Sequence, residues 1–196
     1  YRNCVNAGVC SDDGVDYDSQ SCNYGQTDRE NHPMNCVAWG QAQTYCNWAL
    51  KSLPTEAEWE KAARGPDGQK YPWGSADVDC NYVIMDSSRL ELPDDVEVGN
   101  GCAEGRTWPV GSKPAGATDT GIYDMMGNVY EWTADWYGSD YYCAGEAATV
   151  STPFGACTPD SSPSEVSLNN PQGPSDGIYK VLKGGSWLTP WTRRFR

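Results

Sequence analysis

Between Trp39 and Leu50 the apolar residues Trp39, Ala42, Cys46 and Ala49 recur at three- and four-residue spacing, the period of a short amphipathic helix. A second helix is predicted over Glu56–Arg64. Thr55 and Glu58 form a T-x-x-E capping box there, Pro54 stands just ahead, and Gly65-Pro66 supplies the stop. Trp59, Ala62 and Ala63 make its buried stripe. Residues 1–35 are polar and turn-rich and read as loops, and the chain from Tyr71 to Gly111 is again dense in turns. The acidic run Glu91–Glu97 reads as a solvated surface loop. Tyr141–Asp176, rich in Ser, Pro, Gly and Asn, reads as a long insertion bracketing Cys143 and Cys157, after which Tyr179–Leu182 is predicted as a strand leading into Gly184-Gly185-Ser186-Trp187. No tandem repeat is present.

The chain has 196 residues, enough for one domain, and a net charge of −13. With no Lys/Arg cluster it lacks the electrostatic footprint of a nucleic-acid binder, and no apolar run approaches the ~20 residues of a membrane span. Nine cysteines are too many for a reducing cytosol unless they hold metal. No C-x-x-C pair occurs and His32 is the single histidine, so disulfides rather than zinc are expected. The expected location is exported: periplasmic, cell-surface or secreted. An odd count leaves one thiol that is free, intermolecular or paired outside this sequence.

Four stretches together resemble the formylglycine-generating enzyme family, also called the sulfatase-modifying factor domain: HPMNCVAWGQAQTYCNWALKSLPTEAEWEKAARG at 32–65, YPWG at 71–74, GIYDMMGNVYEWTADWY at 121–137 and NPQGPSDGIYKVLKGGSW at 170–187. The resemblance implies an α+β chain: an irregular single domain over residues 1–196, related to C-type lectins, low in regular structure and rich in disulfides. It also implies a strand ahead of Tyr1–Cys10 and a GFRC-type strand following Arg196, both outside these residues. Cys46 matches a family position bonded to the cysteine of that GFRC-type segment, which leaves eight cysteines. By proximity and loop layout these are expected to pair as Cys4–Cys10, Cys22–Cys36, Cys80–Cys102 and Cys143–Cys157.

Active members of that family are copper-dependent oxidases whose Cu(I) is held by two cysteines shortly after the GGS-aromatic motif, soft ligands suited to a soft ion. Here the matching segment, Gly184–Arg196, contains no cysteine, and Thr189 near the first ligand position offers only a hydroxyl. No copper is expected. One histidine cannot form the iron-binding triad of the fold's sulfoxide-synthase branch, and His32 reads as a capping or packing residue at the entry to a strand. The resemblance assigns calcium to the segment Asp124–Glu131, through the side chains of Asp124 and Glu131 and the carbonyls of Gly127 and Val129, an oxygen set of the kind calcium takes. At the family's second calcium site, Asn81-Tyr82 is present but Cys102 falls near the Asp position beside Cys80, so a disulfide is expected in place of that ion.

Trp39, Trp48, Trp59, Trp73, Trp132, Trp136 and Trp187 fall inside the family motifs and read as packing residues. Trp191 and Tyr137, Tyr141 and Tyr142 are freer. The segment after the GGSW motif, with Trp187, Thr189, Trp191, Arg193, Arg194 and Arg196, is the expected binding surface for a protein or glycan ligand, in an extracellular or membrane-associated assembly. The resulting expectation is a non-catalytic, calcium-stabilised binding or structural domain. An enzyme of the same family with altered chemistry is the alternative.

Overall fold

In the computed structural model, residues 1–15, 21–86, 105–139, 141–143 and 169–189 are described. Three helices are α1 (Arg2–Asn6), α2 (Trp39–Trp48) and α3 (Glu56–Arg64), and two strands are β1 (Glu131–Trp136) and β2 (Lys180–Lys183). Single 3₁₀ turns lie at Pro114–Gly116 and Tyr141–Cys143. The chain is thus a small mixed helix-and-sheet fold with few regular elements. Among the described residues no helix is long and apolar enough to cross a membrane.

Helix α3 has the predicted bounds because its cap is chemically complete. Thr55 Oγ1 accepts from Glu58 N–H at 3.1 Å and Glu58 Oε2 accepts from Thr55 N–H at 2.9 Å, satisfying two donors that a helix start leaves open. A third is met from outside, where Asp135 Oδ2 in β1 accepts from Glu56 N–H at 2.7 Å. Trp59 and Ala63 are buried, while Ala62 packs at the edge of the same cluster.

Helix α2 departs from expectation. It ends at Trp48, not Leu50, whose positive φ of 57° and full exposure put it outside the helix, and none of its residues is buried. Glycine and polar residues at 40, 41, 43, 44 and 47 leave no continuous apolar face. The helix is anchored by directed contacts instead. Trp39 Nε1 donates to Thr133 O at 2.7 Å, Trp132 Nε1 donates to Val37 O at 3.0 Å, and the Lys180 ammonium sits 4.1 Å from the Trp39 ring centre and 3.8 Å from that of Trp136.

The N-terminal stretch is not loop throughout, since α1 forms there and buries Cys4. Cys4 is bonded to Cys10 and Cys22 to Cys36. Cys80 is also disulfide-bonded, to a cysteine outside the described residues. Cys102, Cys157 and the side chain of Cys143 lie outside them as well, as does most of the 141–176 insertion.

Strands β1 and β2 pair antiparallel, Glu131 opposite Lys183 and Trp132 opposite Leu182, with an irregularity before Trp136. Two apolar clusters form among the described residues. One gathers Tyr71, Val78, Val83, Met85 and Met126, with Trp73 stacked between Tyr71 and Tyr82 at 5.1 and 4.8 Å; the other gathers Trp59, Ala63 and Met125. The successive residues Met125 and Met126 therefore enter different clusters. Burying both pins the loop that follows them.

Candidate functional site

The loop Asp124–Glu131 is held from three directions. Gly127 N–H donates to Gly184 O at 2.7 Å, Asn128 N–H to Ile84 O at 2.8 Å, and Trp187 N–H to Asn128 O at 3.0 Å. The fully buried Asn128 side chain accepts from Trp108 N–H at 3.0 Å and donates to Trp108 O at 3.2 Å. Gly127 is required here. Its φ of +78° lies in the left-handed region, and a Cβ would strike the Ile84 carbonyl oxygen and the Val83 side chain.

Two carboxylates close the loop. Asp124 Oδ2 accepts from Gly111 N–H at 2.7 Å, and Glu131 Oε2 accepts from the Trp59 indole N–H at 2.6 Å. Burial pushes both carboxyls above their ordinary ranges, the Gly111 and Trp59 donors offset this in part, and the Asp124 charge pushes Glu131 further up. The second oxygen of each carboxylate has no donor among the described residues. Nor does any described residue donate to the Gly127 or Val129 carbonyl. Two carboxylates costly to ionise alone and two carbonyls without a donor are oxygen ligands of the type a hard divalent cation takes. Among the described residues no group of three His, Cys, Asp or Glu side chains comes together, so a softer metal finds no comparable set.

The second feature is the turn after β2. Gly184 and Gly185 both have positive φ, and the chain then folds back so that Thr189 N–H donates to Ser186 O at 2.9 Å. Thr189 Oγ1 accepts from Ser186 N–H at 2.9 Å, lies 3.2 Å from Ser186 Oγ, and donates to the Tyr130 hydroxyl at 2.9 Å. Ser186 and Thr189 are both buried. The expectation that Thr189 belongs to a recognition surface is corrected by this network, which turns it inward; Leu188 is the exposed residue of the turn, and Trp187 is half-buried. Trp191, Arg193, Arg194 and Arg196 lie outside the described residues.

Neither a copper ligand pair nor a nucleophile–base pair is present in this turn. Ser186 Oγ meets the hydroxyl of Thr189 and the N–H of Leu188, and no imidazole or amine is among its partners. His32 lies elsewhere. Its Nδ1 is 2.8 Å from Thr107 Oγ1, which itself donates to buried Asn23 at 2.9 Å, and no strand follows it; Pro33–Ala38 runs as irregular chain into α2. Sequence reading missed the part played by Tyr130 because its partner Thr189 is 59 positions away. Cys46 is a free thiol, half-buried, with burial raising its pKa against a smaller pull from Lys51.

Residues 1–196 match the Sulfatase-modifying factor enzyme 1-like domain, and the chain belongs to that family. It is 36% identical over 166 residues to a formylglycine-generating enzyme of Thermomonospora curvata, covering 83% of this chain and 46% of that protein. It is 38% identical over 160 residues to the serine/threonine-protein kinase pkn1 of Chlamydia caviae, covering 80% of this chain and 19% of that one. The chain thus spans less than half the length of these curated relatives. In fold it is similar to PvdO from Pseudomonas aeruginosa, with a TM-score of 0.52 and 24% identity over 82% of this chain and 52% of the other.

Proposed function

We propose that this chain is a non-catalytic domain of the family, stabilised by calcium in the Asp124–Glu131 loop and used for binding or as a structural part of an extracellular or surface assembly. The observation that carries this reading is the Thr189 hydroxyl, buried between Ser186 and Tyr130 near the position where the resemblance implies the first copper thiolate. A neutral hydroxyl is too hard and too weakly acidic to serve Cu(I). The two internal disulfides, with Cys80 bonded too, support an oxidising and hence exported setting. The C-type-lectin-related, single-domain architecture implied by the sequence belongs to the same proposal. Similarity both to a formylglycine-generating enzyme and to a region of a protein kinase is consistent with a scaffold reused in different contexts.

The test is direct. The purified chain is supplied with Cu(I), oxygen and a cysteine-containing peptide of the kind such enzymes oxidise, and aldehyde is read by hydrazide labelling. No aldehyde above the chain-free control is expected, and turnover would overturn the reading. Calcium is tested separately by isothermal titration of the EGTA-stripped chain, where no heat of binding would remove that part of the proposal.

A further inference from the structure

A groove of about 1010 Å³ runs between α3 and the β1–β2 ladder. All four β2 residues line it, together with Gly184 and Gly185. A sheet face presents only every second residue, so a groove touched by four in succession follows the strand's edge. Among the described residues β2 pairs with β1 alone, which leaves its other edge open for a further strand. Such an edge supplies main-chain donors and acceptors to any extended chain laid beside it.

The charge of the lining is opposite to that of the molecule. Among the described residues the lining carries Lys61, Arg64, Lys70, Lys180 and Lys183 against Glu56 and Glu60, in a chain of net charge −13. The two glutamates are already engaged by Lys183, at 3.5 and 3.1 Å, and Arg64 also reaches Glu60 at 2.9 Å. Lys180 meets a carbonyl, two indole rings and the charge of Asp135 behind the lining, Lys70 reaches Asp77 at 3.3 Å outside it, and Lys61 makes no ion pair among the described residues. The surplus inside the groove is therefore positive.

We infer that this groove receives an extended acidic segment of a partner protein, which adds, as a third strand, to the edge of β2 that is unpaired among the described residues. This names a partner class for the binding role proposed above and rests on it. Backbone pairing supplies register and the groove lysines select carboxylates.

The test uses fluorescence anisotropy with the whole chain and a labelled peptide of about nine residues alternating Glu and Thr, beside versions carrying Gln or Lys for Glu and one N-methylated at alternate amides. The acidic peptide is expected to bind at least about tenfold more tightly than each of the others, with the preference shrinking as salt rises. The double variant Lys61→Glu/Lys70→Glu, at two exposed positions, is expected to lose about tenfold for the acidic peptide alone. Hydrogen exchange at 180–183 is expected to slow on peptide addition.

Equal binding of the Lys peptide, or undiminished binding of the N-methylated one, overturns the inference. So does protection of the β2 edge before any peptide is added, which would show it already occupied by this protein's own chain. Aldehyde formation in the copper assay would sink the non-catalytic reading without changing any of these peptide results.

Discussion

The indole N–H of Trp59 in α3 donates to the Glu131 carboxylate at the start of β1, 2.6 Å away and 72 positions along the chain. One bond thereby joins the second apolar cluster to the candidate cation loop. The substitution Glu131→Gln keeps an acceptor for that indole and removes the charge. Without calcium the variant is expected to be as stable as the parent or more so by about 1 kcal/mol, because a buried carboxylate has been made neutral. With calcium present it is expected to show no rise in melting temperature, while the parent does. Differential scanning fluorimetry in EGTA and in calcium reads both outcomes.

The same carboxyls set a pH dependence. In the cation-free fold Asp124 and Glu131 have pKa values raised above 3.8 and 4.5. Their contribution to stability is thus fully present below those values and is lost as pH rises through the raised ones. A bound divalent cation holds both ionised and reverses the sign. The gain in melting temperature from calcium is therefore expected to grow as pH rises from the ordinary carboxyl range toward neutrality. A gain independent of pH would place the cation elsewhere.

Lys183 is buried against Glu56 and Glu60, its ammonium 5.3 Å from the centre of the Trp59 ring. Burial pushes the Glu60 carboxyl up, but Lys183 and Arg64 outweigh it and hold the pKa below the ordinary value. Lys183→Met keeps most of the stem's packing, strips the half-buried Glu56 of its cation and leaves Glu60 with Arg64 alone. A loss of about 2–4 kcal/mol is expected in urea unfolding at neutral pH, toward the lower end because the glutamates keep some solvent. The loss should shrink near pH 4, where the stranded carboxyls can take protons.

Gly127→Ala places a methyl group against the Ile84 carbonyl and Val83 in a backbone region that disfavours side chains. Both effects act together in a fully enclosed site, so a cost above about 4 kcal/mol and poor recovery of folded chain are expected. Gly121→Ala provides the control. It shares a positive φ but meets nothing within 4 Å, and should cost only about 1 kcal/mol.

Reading the sequence succeeded where a local signal was complete. The T-x-x-E box and following Gly-Pro delimit α3, and the segment before the GGSW motif is a strand, shifted by one residue to Lys180–Lys183. Strand β1 escaped pattern reading for a physical reason. Its buried face is polar, with Thr133 and Asp135 inside and Trp132 and Trp136 half-exposed, so the alternation of apolar residues points the wrong way. Helix α1 carries no periodic signal and is held by the Cys4–Cys10 bridge. The carboxylates of the loop were found through family motifs, but their attachment to Trp59 and Gly111, like the contact of Tyr130 with Thr189, depends on residues far apart in sequence.

The β1–β2 ladder has one more consequence. Just beyond the strands, Tyr137 N–H donates to Tyr179 O at 2.7 Å, so the two ends of the segment between them are held together at a fixed point. What lies between ends held in this way can lengthen or shorten at little thermodynamic cost, about 0.6 kcal/mol for each doubling of loop length. The scaffold can therefore carry inserts of very different size and composition at this point while its apolar clusters and cation loop stay unchanged. Length and composition can thus vary between these two anchor points without disturbing the strand pairing that joins them.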